Sequence, residues 1–211
     1  MAYPAVSAAY GMLPINLLGG RSYTAATRLI PIASGYGYNI GFGDLVTYAS
    51  TGTIKRVDET FGAAKATFAT PPVGIFLGCT YTDPNLKYVL HNQYWPASTV
   101  ASDAYAVVCD DPDVVLKAAL TNASGVIYTS GGATQAAVGN NIGYYVPTTY
   151  VNTATRDSVI SANKDSLNTT NTLPFTVLDV VKETALPDGT YSELLLVFNA
   201  GFHFHRQATG I

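Results

Sequence analysis

Residues 175–198, FTVLDVVKETALPDGTYSELLLVF, contain the clearest indication of the fold. Two runs of β-forming residues, at 175–182 and 191–198, stand on either side of the sequence PDG at 187–189. Pro, Asp and Gly in this order favour a tight turn, and apolar runs of this length between turn residues are typical of strands. The segment therefore predicts an antiparallel β-hairpin.

The rest of the chain shows the same alternation of strand and turn, with few signs of helix. Only residues 133–138 favour a turn or two of helix, which Gly139 would end. Residues 122–173 are rich in Ser, Thr, Asn, Gly and Ala and predict short strands joined by long loops. Further strands are predicted at Arg28–Ile32, Asp44–Tyr48, Thr53–Val57, Val73–Tyr81, Leu86–Leu90, Ala104–Cys109, Val114–Leu120 and Gly201–Arg206.

These patterns predict an all-β fold: an antiparallel β-barrel or β-sandwich, jelly-roll-like, with an extended N-terminal arm and little helix. No internal repeat of fixed period is visible, which argues against a solenoid or a propeller. Strand order cannot be read from strand propensity, so barrel and sandwich both stay open. Residues 26–211 are expected to form a single β domain with long loops around 122–173.

Residues 1–25 are predicted to form the extended arm. Residues 1–20 are apolar without helical or strand period, and such a segment cannot cover its own side chains. It is expected to lie on a neighbouring copy or on another protein, or to be a strand and loop of the same domain. The candidate interface residues of the arm are Tyr3, Tyr10, Leu13, Ile15 and Leu17.

The composition limits the classes of partner. Charged residues are 12% of the 211 residues, against about 25% in typical soluble proteins, and the formal net charge is −3. So few Lys and Arg residues predict no direct nucleic-acid binding. Neither a membrane span, which needs about 20 consecutive apolar residues, nor a secretory signal is expected. Low charge together with 15 tyrosines favours a protein whose surface is covered by other proteins.

The residues most able to bind metal are interpreted as parts of the fold and not as metal ligands. His203 and His205 lie two apart in a predicted strand and can be half of a zinc site, but no spacing supplies the other ligands, so a half-buried strand is favoured. Asp110, Asp111 and Asp113 lack the glycine and glutamate of a calcium loop and predict a solvated turn. Metal ions and cofactors are therefore not expected.

Catalytic motifs are also few. There is no Gly-x-Ser-x-Gly elbow and no Walker loop, so an enzyme is not expected. Cys79 and Cys109 lie in apolar runs and are interpreted as small buried side chains. Trp95, next to Pro96, is interpreted as a core anchor, with a sugar-stacking platform as the alternative.

Several stretches together resemble small virion proteins of tailed bacteriophages, especially phages of cyanobacteria and other aquatic bacteria. Their order and spacing carry the resemblance, which covers most of the chain from about residue 40 onward but not the N-terminal arm or residues 122–173. The stretches are GFGDLV at 41–46, PVGIFLGCTYTD at 72–83, YWPA at 94–97, AVVCDDPD at 106–113, LPFTVLD at 173–179 and HRQATGI at 205–211.

The resemblance implies a capsid cement, or decoration, protein. Such a protein is assembled in the host cytoplasm and lies on the outer capsid surface of the virion, usually as a homotrimer. It stabilises the lattice by non-covalent clamping of neighbouring subunits of the phage major capsid protein, and it has no catalytic residues. The alternative is a receptor- or glycan-binding tail or fibre-associated protein, whose features would be Trp95, the Tyr-rich loops and the Thr/Asn-rich middle.

Overall fold

The computed structural model describes residues 6–22, 24, 26–59, 62–149, 151–208 and 210. In these residues the only helices are three short 3-10 turns, at Gln135–Ala137, Lys182–Thr184 and Phe204–Arg206. None of the described helices has the length and apolar character needed to cross a membrane. The strands are β1 Met12–Leu17, β2 Arg21–Ser22, β3 Arg28–Pro31, β4 Leu45–Tyr48, β5 Ile54–Arg56, β6 Ala63–Lys65, β7 Gly74–Thr82, β8 Val89–Asn92, β9 Tyr105–Cys109, β10 Val114–Thr121, β11 Asn141–Val146, β12 Ser161–Asn168, β13 Phe175–Val180 and β14 Glu193–Phe198.

The strands form two sheets, and each sheet closes on itself. The first has the order β3-β9-β7-β4-β5, and a parallel bridge between Ile32 and Ile54 joins its two ends. The second contains the order β12-β11-β13-β14-β10, and parallel pairing of β10 with β12 joins its ends. We call these closed sheets the N-barrel and the C-barrel. The prediction of an antiparallel all-β fold with little helix is confirmed, and both sheets are barrel-like.

The two barrels have the same connectivity. Each is built from five strands, which are β3, β4, β5, β7 and β9 in the N-barrel and β10 to β14 in the C-barrel. In both, the first strand pairs antiparallel with the fifth, the fifth with the fourth, the fourth with the second and the second with the third. In both, the third strand returns to lie parallel to the first.

The register of the pairings is repeated as well. The fourth strand of each barrel carries one extra residue opposite the fifth, which is Leu77 in the N-barrel and Leu178 in the C-barrel. When the two barrels are aligned on these bulges, the residue pairs between the first, second, fourth and fifth strands coincide without further shifts. The parallel contacts that close the two barrels coincide as well. Equivalent positions include Ile32 and Leu120, Val46 and Ile142, Ile54 and Ala162, Phe76 and Val177, and Val108 and Leu196.

The chain therefore contains a structural repeat that the sequence does not display. Equivalent interior positions share apolar character rather than identity, as Ile32 and Leu120 show. The loops between equivalent strands also differ in length, so no fixed period arises. Residues 26–211, expected to form a single β domain, consist of these two barrels.

A shared hydrophobic cluster joins the barrels. The N-barrel encloses its own cluster, which includes Phe76 and Trp95. Leu45, Ile75 and Cys109 are cross-strand neighbours on the outer side of the N-barrel, and they belong to the cluster that fills the C-barrel. Because burial of apolar area is the main stabilising term in folding, this shared cluster holds the two barrels together.

The four residues that link the barrels, 110–113, are held by ion pairs. Asp110 pairs with Arg28 of β3, and Asp113 pairs with Arg206 near the C-terminus. The predicted turn between two strands is present, with the backbone N–H of Asp113 donating to the Asp111 carboxylate. It is less solvated than the sequence suggests, because two of its three acidic side chains, Asp110 and Asp113, have arginine partners.

Part of the predicted N-terminal arm belongs to a sheet. Strand β1 pairs antiparallel with β10 and with β2, and Met12 is fully buried in the C-barrel cluster. For residues 12–22 the structure therefore favours a strand of the same domain, one of the alternatives that the sequence left open. Residues 1–5, which include Tyr3, lie outside the described part of the chain.

Two predicted strands differ from the structure because of local turns. The strand expected at 201–206 is wrong, since Gly201 has a φ of +81° and the N–H of Phe202 bonds back to Asn199. A 3-10 turn follows in its place. The strand expected from Leu86 begins only at Val89, because the Asp83 carboxylate accepts the N–H groups of the two residues Asn85 and Leu86.

The close approach of β7 to the end of β9, where the inter-barrel link begins, gives a test of the junction. A Cβ at Gly74 would overlap the carbonyl group of Cys109, whereas a Cβ at the exposed Gly37 would meet nothing. We expect Gly74→Ala to lower the free energy of unfolding by about 1–3 kcal/mol and Gly37→Ala to leave it almost unchanged. Urea denaturation of the two variants checks this, and equal stabilities would contradict the tight junction.

Candidate binding surface

The outer side of the N-barrel forms a continuous surface across four strands. The register places Pro31, Tyr105, Thr80 and His91 side by side on β3, β9, β7 and β8. Successive side chains of a strand point to opposite faces, so these residues point outward, while their neighbours such as Phe76 pack inside. We call this surface the N-barrel face and define it by Leu29, Pro31, Thr80, Val89, His91 and Tyr105.

The N-barrel face is mainly apolar, with Thr80 and His91 as its polar members, and most of it is open to solvent. Leu29 is 59% exposed, Val89 56% and Tyr105 42%, and the adjoining β7–β8 turn adds Leu86 at 58% and Tyr88 at 53%. Single exposed apolar side chains are ordinary on protein surfaces, but contiguous groups of them mark sites of interaction. None of the six residues that define the face carries a carboxylate or an amine. The face therefore suits an apolar partner.

The same part of the C-barrel has the opposite character. By the register of the repeat, Lys117 and Glu193 stand where Leu29 and Tyr105 stand in the N-barrel. Lys117 Nζ lies 3.4 Å from the Glu193 carboxylate, which is almost fully buried. The hydroxyl of Tyr10 donates a hydrogen bond to Glu193, and Lys117 Nζ lies 5.4 Å from the centre of the Tyr10 ring. This surface is thus charged and covered by the protein's own N-terminal segment.

The electrostatics of this cluster keep Tyr10 protonated. Burial raises the pKa of the Tyr10 hydroxyl, and its hydrogen bond to Glu193 and the charge of that carboxylate raise it further. The hydroxyl therefore remains a donor at any pH in which the protein would work. Because Glu193 is paired with both Tyr10 and Lys117, the C-barrel surface is internally satisfied.

The predicted interface residues of the arm lie mainly against their own chain. Tyr10, Leu13 and Leu17 are half-buried, and Leu17 packs on the C-barrel cluster. Of the four that the structure describes, only Ile15, at 43%, is strongly exposed. The prediction that these residues contact a partner stays a prediction.

Sequence reasoning did not find the N-barrel face. Leu29, Val89 and Tyr105 each lie in or beside a predicted strand, where an apolar residue is normally taken to be buried. Which side of a strand faces outward depends on its neighbours in the sheet, and those come from distant parts of the chain. A local signal is present only at the turn, where Leu86 and Tyr88 follow the DPN sequence at 83–85.

The histidines do not form the strand pair that the sequence suggested. His203 is fully buried, and its Nδ1 accepts the backbone N–H of His205 at 3.2 Å. Burial lowers the pKa of His203 to about 4, so the ring is neutral at neutral pH. Across the described residues, no group of three or more His, Cys, Asp or Glu side chains is placed to hold a metal ion.

The other candidate residues are parts of the interior. Cys79 and Cys109 are both buried and not joined in a disulfide, in agreement with their interpretation as small buried side chains. Trp95 is fully buried, and its ring packs edge-on against Tyr81 with 5.2 Å between the centres. Trp95 is therefore the core anchor, and it is not available to stack on a sugar.

Comparison with known proteins gives no guidance on function, since no family model, no curated protein and no solved structure matches this chain. The strongest structural indication of an interaction site is the contrast between the exposed surface of the N-barrel and the covered surface of the C-barrel.

The covered C-barrel surface can be tested through Tyr10. Tyr10→Phe removes the donor to a buried carboxylate, so we expect it to lower the free energy of unfolding by about 1–3 kcal/mol. Tyr88→Phe removes a hydroxyl at a residue that is 53% exposed and should have almost no effect. Thermal and urea unfolding of the two variants provide the comparison. A Tyr10→Phe protein as stable as the wild type would show that Lys117 alone satisfies Glu193.

Proposed function

We propose that this protein is a structural virion protein that binds the outside of an icosahedral phage head. It stabilises the capsid by non-covalent clamping of neighbouring major capsid subunits. The observation that carries the proposal is the exposed, uncharged N-barrel face, on which Leu29, Val89 and Tyr105 are each more than 40% exposed. The sequence resemblance to phage cement proteins supports the same conclusion.

The physical properties of the chain suit this role. A cement protein has to bury surface on several neighbours at once, and only 12% of the residues are charged. Apolar contacts of modest strength become strong when one particle makes several of them together, because later contacts form at high effective concentration. A homotrimer would supply three equivalent N-barrel faces and match the local three-fold positions of an icosahedral lattice.

The two-barrel architecture supports clamping in a second way. The barrels share a cluster that contains Leu45 and Ile75, so a load applied to the N-barrel passes into the C-barrel through packed side chains. The link between them is short and held by the pairs of Asp110 and Asp113 with arginines. The proposed role needs such stiffness and requires no catalytic step.

The alternative of a glycan-binding tail protein has less support. Its strongest feature was Trp95, and that side chain is fully buried beneath the surface. The exposed aromatic residues here are Tyr105 on the N-barrel face and Tyr88 on the adjoining turn, and most of their exposed neighbours, such as Leu29, are apolar. Sugar binding normally combines stacking with several polar groups, so this surface favours a protein partner.

The proposed function is tested by disrupting the N-barrel face. The double variant Val89→Ser/Tyr105→Ser removes two exposed apolar side chains, and we expect its affinity for heads stripped of the protein to fall at least about tenfold. Co-sedimentation with the stripped heads measures this.

The matched control is Val126→Ser, at a residue of the C-barrel that is 61% exposed. It should bind as the wild type does, and all three proteins should unfold at the same temperature. Wild-type protein that fails to bind stripped heads would contradict the proposed function. Unchanged binding of the double variant would show that the contact is made elsewhere on the molecule.

A further inference from the structure

The structural repeat reveals a difference at the edge of each barrel's first strand. In the C-barrel, β10 pairs with β14 on one side and with β1 on the other. Strand β1 lies antiparallel along residues 114–118, from the pair Leu17 and Val114 to the pair Met12 and Ala118. Beyond this footprint β10 pairs with β12 to close the barrel. Strands of the same chain therefore lie along both edges of β10.

In the N-barrel, the same edge has no strand among the described residues. Residues 28–30 of β3 are equivalent to 116–118, and the same offset places residues 26–27, which precede β3, opposite 114–115 of the C-barrel. Strand β3 pairs only with β9 before the bridge at Ile32 closes the barrel. The N–H of Ile32 donates to Ala104, just as Leu120 donates to Ser192 in the C-barrel. Since alternate residues of a strand face opposite partners, the N–H and C=O of Leu29 face the open edge.

The open edge adjoins the N-barrel face. Residues 26–29 are all exposed, and Leu29 contributes both its backbone groups to the edge and its side chain to the face. Pro31 has no N–H and limits any added strand to the stretch before it. The stretch available to an added strand therefore ends at Ile30. Its equivalent in the C-barrel is Ala118, where the pairing of β10 with β1 also ends.

We propose that the open edge of β3 accepts an extended segment of the capsid protein, which pairs antiparallel with residues 26–30. This inference rests on the proposed function and specifies how the partner is bound. The segment is uncharged, with apolar side chains at alternate positions that lie on the N-barrel face. Strand addition of this kind takes its affinity from main-chain hydrogen bonds and its specificity from alternate side chains.

The chemistry of the segment follows from the two barrels. Strand β1, the occupant of the equivalent C-barrel edge, has the uncharged sequence MLPINL. The N-barrel face has Leu29 and Tyr105 where the C-barrel has Lys117 and Glu193, so its occupant should be still more apolar. A second copy that used its own β1 would have to release Met12, which is fully buried in the C-barrel. A second copy that used its own residues 26–30 in a two-fold pairing would place the charged Arg28 opposite Arg28, and like charges directly opposite each other destabilise a strand pair. We therefore assign the edge to another protein.

The test compares two substitutions at one residue. Leu29→Pro removes the N–H that faces the open edge and leaves the pairs of β3 with β9 intact, while Leu29→Ala shortens the side chain and keeps the N–H. We expect Leu29→Pro to bind stripped heads at least about tenfold more weakly than Leu29→Ala, with equal unfolding temperatures. In the wild type, hydrogen exchange of residues 26–30 should slow when the protein is on heads.

Each other outcome overturns a distinct statement. If the wild type binds heads and the two variants bind equally well, the edge is not used and the proposed function stands. If the wild type does not bind heads, both the proposed function and this inference are wrong. If Leu29→Pro binds heads normally but no longer self-associates, the edge is a contact between copies of the chain, and its assignment to a capsid segment is wrong.

Discussion

Each barrel depends on the first of its five strands, because that strand must pair on both edges for the sheet to close. In the C-barrel, β10 pairs with β14 on one edge and with β12 and β1 on the other, so its backbone groups are satisfied within the chain. In the N-barrel, as far as the structure describes the chain, β3 has β9 on one edge and only the bridge at Ile32 on the other. Unpaired strand edges attract other strands, so the repeat contains one complete unit and one that is open.

The surfaces of the two barrels differ in a matching way. Where β1 and Tyr10 cover the C-barrel, the outer residues include a buried carboxylate with a full set of partners. Where the N-barrel is uncovered, the equivalent positions are Leu29 and Tyr105. Burying a charged group is costly unless it is paired, whereas apolar groups gain from being covered. The same scaffold thus has a surface that its own chain covers and a surface suited to another protein.

The sequence predicted the class of fold and most of the strands, since these depend on local signals. The strands of the segment 175–198 pair as expected, and Gly189 lies in the connecting turn with a φ of +78°. The first strand is shorter than expected, because it ends at Val180 and a 3-10 turn follows at Lys182–Thr184. The repeat, the strand order and the open face were not predicted, because they depend on pairings between distant segments such as β10 and β12. Leu29 and Glu193 show why residue type alone does not predict burial, since the apolar Leu29 is exposed and the acidic Glu193 is buried.

In the proposed function, the N-barrel face is the surface that meets the capsid. A reconstruction of the decorated phage head, at a resolution that separates strands, tests it most directly. We expect the N-barrel to lie against the shell, with an extended capsid segment beside β3. A reconstruction in which the N-barrel face points into solvent, and the C-barrel makes the contacts with the shell, would contradict it.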